Sequence, residues 1–175
     1  PVRPPGRQRH EMVYDAARGE VLLFGGSHST GFHGDTWSFD ASGWRLRLPA
    51  HRPPGRADHA MAYDPLRERV VLMGGRAVLP YDDIWEWDGS DWTRVALGVT
   101  GLGADGAACF DPALGGVLWS RDTANLLWDG VQLRPLAVPA PESGNRHALV
   151  YDAASGGPIT LASNSRSTLL RFRAG

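Results

Sequence analysis

The stretch RPPGRQRHEMVYD, beginning at Arg3, returns as RPPGRADHAMAYD beginning at Arg52. A near-copy of this length constrains the fold more than any other feature. A segment repeated in this way is one supersecondary unit, copied so that neighbouring copies can bury each other's apolar faces. Tyr14-Asp15 recurs as Tyr63-Asp64, then Phe110-Asp111, then Tyr151-Asp152. VLLFGG, ending at Gly26, matches VVLMGG, ending at Gly75, and DTWSFDASGW, ending at Trp44, matches DIWEWDGSDW, ending at Trp92. The third and fourth copies are degenerate but keep register. Val117 stands where Val21 and Val70 stand, NLLWDG from Asn125 matches DIWEWDG, and NRHALVYD from Asn145 matches the opening stretch. Arg121-Asp122 and Ala162-Ser163 replace the glycine pair, and LLRFRAG stands where the fourth tryptophan strand is due. The repeats run over about 1–48, 49–97, 98–138 and 139–175.

Each copy reads as four short strands. HAMAYD alternates, and Asp64-Pro65 begins a turn. RVVLMGG is a continuous apolar run, the pattern of a strand buried on both faces. DIWEWDG alternates again, Asp88-Gly89 is a hairpin signal, and DWTRV is a short last strand. Glycine or proline interrupts nearly every long window, which leaves helix without support. The chain is therefore expected to be all-β. Four-stranded units of this size are the signature of propeller blades.

These residues resemble the kelch family of β-propellers, in the form common in bacterial proteins. The resemblance rests on the Arg/Asp-His pair opening the unit, the Tyr-Asp, the Gly-Gly after an apolar strand and the two spaced aromatics. It covers essentially the whole chain as a single domain of four blades and is specific in the first two units. It implies a radial array, with RPPGR…HAMAYD crossing from the outer strand of one blade to the inner strand of the next. It leaves three endings open: a portion of a larger propeller, two chains completing one ring, or four blades closing alone. An unclosed array would expose strand edges, which proteins generally avoid.

Charge excludes some partners. The chain has 18 basic and 19 acidic side chains and a formal net charge of −1, with every basic residue an arginine. That balance argues against a nucleic-acid or membrane surface. No apolar stretch approaches transmembrane length, and no charged-then-apolar leader opens the sequence. The single cysteine, Cys109, excludes an intrachain disulfide and leaves the compartment open. It aligns with Val13 and Ala62 and is expected to be a buried, inert thiol.

The repeat also decides how individual residues are read. His10, His59 and His147 recur once per unit, so packing or hydrogen bonding at the start of an inner strand suits them better than catalysis. Gly25-Gly26 and Gly74-Gly75 lack the Lys-Ser/Thr and helix of a phosphate loop, and are expected to let backbones approach closely. Most of the seven tryptophans hold repeat positions and are expected to pack between blades. Trp119 is the exception, standing where the other units have Leu23 and Leu72. The non-repeat loop SHSTGFHGD carries His28, His33 and Asp35, which are metal ligands by type, but their spacing matches no strong motif and no metal is expected. In a four-stranded meander this loop, its counterpart RAVLPYD and the RPPGR crossovers share one face. Arg7, Arg9, His28, His33, Arg56, Arg76, Tyr81, Arg121 and Arg146 are the candidate binding residues of that face.

No paired carboxylates and no Ser-His-Asp grouping stand out, so no catalytic residue and no cofactor are expected. The leading expectation is a non-catalytic scaffold that binds a protein or ligand through the loops of one face, with a protein the favoured partner. The alternatives are a carbohydrate-binding or galactose-oxidase-like protein, suggested by the tryptophans and by the enzymes the family includes, and a structural portion of a larger propeller. A homodimer is left open.

Overall fold

The computed structural model describes residues 2–121, 124–137, 148–162 and 168–171. All regular structure in them is β. The chain divides into two compact units, Pro1–Ala104 and Asp105–Gly175, and the division falls in the lead-in to the third repeat's first strand.

In the first unit the strands are β1 (Glu11–Asp15), β2 (Glu20–Phe24), β3 (Ser27–His28), β4 (Gly31–Phe32), β5 (Thr36–Asp40) and β6 (Gly43–Arg47). The second repeat supplies β7 (Ala60–Asp64), β8 (Arg69–Met73), β9 (Ile84–Trp87) and β10 (Trp92–Ala96). Each repeat builds one antiparallel meander, ordered β1-β2-β5-β6 and β7-β8-β9-β10, with β3 and β4 a small separate hairpin. In the second unit β11 (Ala107–Asp111), β12 (Gly116–Arg121), β13 (Ala124–Trp128) and β14 (Leu133–Pro135) form a third meander. The described strands of the fourth sheet are β15 (Ala148–Asp152), β16 (Gly157–Ala162) and β17 (Thr168–Arg171).

The Tyr-Asp signature has a local cause. Its aspartate folds the turn between the first two strands of every sheet. The Asp64 carboxylate accepts from the backbone N–H groups of Leu66 (2.9 Å) and Arg67 (3.2 Å), and Asp111 accepts from Ala113 (2.9 Å) and Leu114 (3.1 Å). Asp15 and Asp152 cap the corresponding turns. The turn closes through a left-handed residue: Gly19, Gly115 and Gly156 in three sheets, and Glu68, at φ 53°, in the second.

Register sorts the side chains into two faces per sheet. In the first sheet Met12, Leu23, Trp37 and Leu46 form one cross-strand row, and Tyr14, Val21, Phe39 and Trp44 form the next. Val13, Leu22 and Phe24 point to the opposite face and pack against Met61, Val70, Leu72, Trp85, Trp87 and Trp92 of the second sheet. The second unit repeats this polarity, with Ala107, Cys109, Leu118 and Leu127 of the third sheet packed against Leu149 and Tyr151 of the fourth. The Trp92 indole N–H donates to the Thr36 hydroxyl across the first joint (2.9 Å), so its one polar group is satisfied where the ring is buried. Strands β8 and β12 are buried on both faces, as their continuous apolar runs predict.

Candidate functional site

The loop between β2 and β5 and the crossover that leads to β7 lie together. Gly26 N–H donates to the Arg56 carbonyl (2.8 Å), and Arg56 N–H donates to the His33 carbonyl (3.1 Å). The second repeat makes the same arrangement, where Gly75 N–H donates to the Gly103 carbonyl (2.7 Å). The glycine pair is required for this approach. A Cβ on Gly25 would stand 2.6 Å from the Arg56 carbonyl oxygen, and one on Gly75 would stand 2.7 Å from the His59 Cβ. Loop and crossover therefore share one face of the first unit, as the meander predicts.

Two of the arginines expected to ring that face instead turn inward. Arg56 is fully buried and forks onto Asp83 at 2.5 and 2.9 Å, while its Nη1 also donates to the Gly74 carbonyl (2.8 Å). The Trp85 indole donates to the same carboxylate (2.8 Å), and the Tyr81 ring covers the guanidinium at 3.9 Å. The first repeat builds the same set. Arg7 forks onto Asp35 (2.7 and 2.8 Å) and donates to the Gly25 carbonyl (2.9 Å), and Trp37 donates to Asp35 (2.7 Å). Burial pushes the Asp35 carboxyl up, but the hydrogen bonds from Arg7 and Trp37 outweigh it and hold the group below its ordinary value. A planar guanidinium at the crossover can satisfy a carboxylate and a backbone carbonyl at once. Arg7 and Arg56 tie the crossover to its own sheet and leave few donors for a partner.

His59 fills the joint between the first two sheets. Its ring lies edge-on to Phe24 at 5.6 Å, and its Cε1 is what a Cβ on Gly25 would meet at 2.9 Å. Neither ring nitrogen makes a well-formed hydrogen bond among the described residues, so the ring acts through shape more than through the polar role its sequence position suggests. Burial, then the Arg56 charge, pushes its pKa down to about 3, so it is neutral. His147 lies outside the described residues.

The third repeat lacks both devices. Gly106 stands at the histidine position, and a Cβ there would fall inside the Trp119 indole. The tryptophan that departs from the repeat occupies the space the histidine has left, and it is fully buried. Cys109 is buried as expected, and burial followed by the Asp111 charge pushes its thiol up to about 12.

Of the remaining candidates, Arg9, His28, His33, Arg76 and Tyr81 stay exposed or half-buried on the first unit. The SHSTGFHGD segment is a hairpin, with Ser27 paired to Phe32 and His28 to Gly31, where the sequence suggests only an open loop. It brings the His28 and His33 rings to 4.6 Å, and the Thr30 hydroxyl lies 3.1 Å from His28 Nδ1. Burial and the Arg7 charge push His33 down despite the nearby Asp35 carboxylate. Arg9 and Arg76 both reach Asp58, at 3.4 and 3.0 Å. Arg9 and Asp58 share a left-handed backbone (φ 60° and 55°), as does Asp105 at the same repeat position (φ 66°). Arg121 belongs to the second unit, its guanidinium 5.9 Å from the Trp119 ring. Arg146 lies outside the described residues. No group of three His, Cys, Asp or Glu side chains is placed to hold a metal ion among the described residues.

Two apolar residues also stand on this face, which the polar sequence candidates do not include. Val78 and Leu79, at the tip of the RAVLPYD loop, are 93% and 74% exposed, and Phe32 is partly exposed on the neighbouring hairpin. Their signal was present, since an apolar pair inside a loop has no core to enter. A scan against protein-family models finds no match to this chain, and a search of curated proteins finds none.

Proposed function

We propose that the chain is a non-catalytic scaffold of the kelch propeller type, which takes a protein partner on the loop face of the first unit. One observation carries the reading. The two loops are pinned to the crossovers by backbone hydrogen bonds, yet they hold Val78, Leu79 and Phe32 out toward solvent beside Arg9, Arg76 and Tyr81. Exposed apolar side chains on a face that also carries arginine and tyrosine have the chemistry of a protein-binding surface. Six of the seven tryptophans, Trp37, Trp85, Trp87, Trp92, Trp119 and Trp128, are buried, which leaves a carbohydrate platform only the half-buried Trp44 beside Phe39.

The test is affinity capture with wild-type protein and with a Val78→Ser, Leu79→Ser double variant. These side chains support no core, so the variant keeps its fold. Partner recovery is expected to drop about tenfold, the loss of one good anchor. Equal recovery would remove this face from consideration.

A further inference from the structure

The two rows on the outer face of the first sheet have counterparts in the second sheet; Leu23 and Trp37 are buried like Leu72 and Trp85, but the residues of the first strand have opposite fates. Met61 and Tyr63 lie against Val13, Leu22 and Phe24, and Met61 is 6% exposed. Met12 and Tyr14, at the same repeat positions, are 51% and 59% exposed, and Phe39 and Leu46 beside them are exposed too. The two sheets share a design, so the chemistry that covers this face is already known from the joint inside the unit. It is an aliphatic row from the opposite face of another such sheet. That joint has one polar feature as well: the Tyr63 hydroxyl accepts from the Ala17 backbone N–H (3.1 Å), in the Asp-Ala-Ala turn of the first sheet.

A matching row is open elsewhere on the same chain. In the fourth sheet Leu149 and Tyr151 are packed against the third, but Val150 and Ala148, on the opposite face, are exposed, with Ile159 paired to Val150. Val150 stands at the repeat position of Val13, and Ile159 at that of Leu22. The turn of that sheet, Asp152-Ala153-Ala154, also repeats the Asp-Ala-Ala of the first sheet, whereas the other two turns read Asp-Pro.

We infer that the exposed face of the first sheet docks the fourth sheet of a second copy of this chain, with Met12 and Tyr14 seated on Val150 and Ile159. The contact reproduces the apolar part of the internal joint, with Met12 and Tyr14 standing where Met61 and Tyr63 stand. It is heterologous, joining one surface to a different one, so copies associate head to tail. This goes beyond partner binding by the loops and does not depend on it.

The experiment is light scattering after gel filtration across micromolar concentrations, on wild type and on Tyr14→Asp and Val150→Asp. Both substitutions are at exposed positions, and circular dichroism checks that each variant keeps the wild-type fold. Wild type is expected to reach a mass of two chains or more, and each variant to remain a monomer. A charge placed in the joint weakens it by about a hundredfold. Mixing the two variants is expected to restore a complex of one chain of each, because each retains the end the other has lost. A monomeric wild type overturns the inference. Association that survives Val150→Asp overturns the choice of the fourth sheet, and variants that do not pair on mixing overturn the head-to-tail arrangement.

Discussion

At the scale of single residues, the buried groups carry the sharpest consequences. Arg56 and Asp83 are an ion pair out of water, and removing one member leaves the other charged and unsatisfied. Arg56→Ala is expected to destabilise the first unit by about 3–5 kcal/mol in urea unfolding, and Arg7→Ala by less, because Asp35 retains some solvent. Equal costs would contradict the difference in burial. Two further groups give opposite pH slopes. His59 is neutral in the fold at a pKa of about 3 against an ordinary 6.5, so the unfolded chain takes up the proton first and stability falls as pH drops below 6.5. Glu11 is pushed by burial from 4.5 to about 7, so its contribution is complete below 4.5 and is lost as pH rises through about 7. Between 4.5 and 6.5 the two oppose each other, and the wild-type profile is flattened. Single variants separate them. Glu11→Gln is expected to be less stable at about pH 5 than at about pH 7.5, and His59→Asn more stable, by about 1–2 kcal/mol each. Urea midpoints read both, and two variants with the same slope would refute the assignment.

At the scale of elements, strands and turns were legible because the repeat states each of them twice. The alternation of HAMAYD, the apolar run of RVVLM and the Asp-Gly hairpin each became the element they predicted. The third repeat was harder to read. Trp119 looked anomalous because its meaning lies in Gly106, which it meets across the β11–β12 pair and not along the chain. Histidine and leucine in the first two repeats become glycine and tryptophan here, so the large ring comes from the second strand and not from the crossover. Gly106→Ala is therefore expected to cost about 1–3 kcal/mol, and clearly less in a Trp119→Leu background. Additive costs in a double-mutant cycle would mean that the two positions do not share the space.

At the scale of the whole molecule, the first unit holds its own core, Leu22, Phe24, Leu72, Trp87 and Trp92 among its members. The segment Pro1–Ala104 is expected to unfold in urea as one cooperative transition, with the shift in tryptophan fluorescence coinciding with loss of the β signal. A gradual, non-coincident loss would show that its core needs the rest of the chain. The all-β class, the order of strands and the turn chemistry were determined by the amino-acid sequence alone. They depend on neighbours along the chain and on a period the repeat makes visible. Which polar residues remain free for a partner was decided only by the tertiary structure. Arg7 and Arg56 read as rim residues like Arg9 and Arg76 until Asp35 and Asp83, far along the chain, arrive beside them. Met12 and Met61 read as equivalents until one is covered by a neighbouring sheet and the other is not. Burial is a property of what packs against a residue, and a repeat writes the same side chain at both positions whatever covers it.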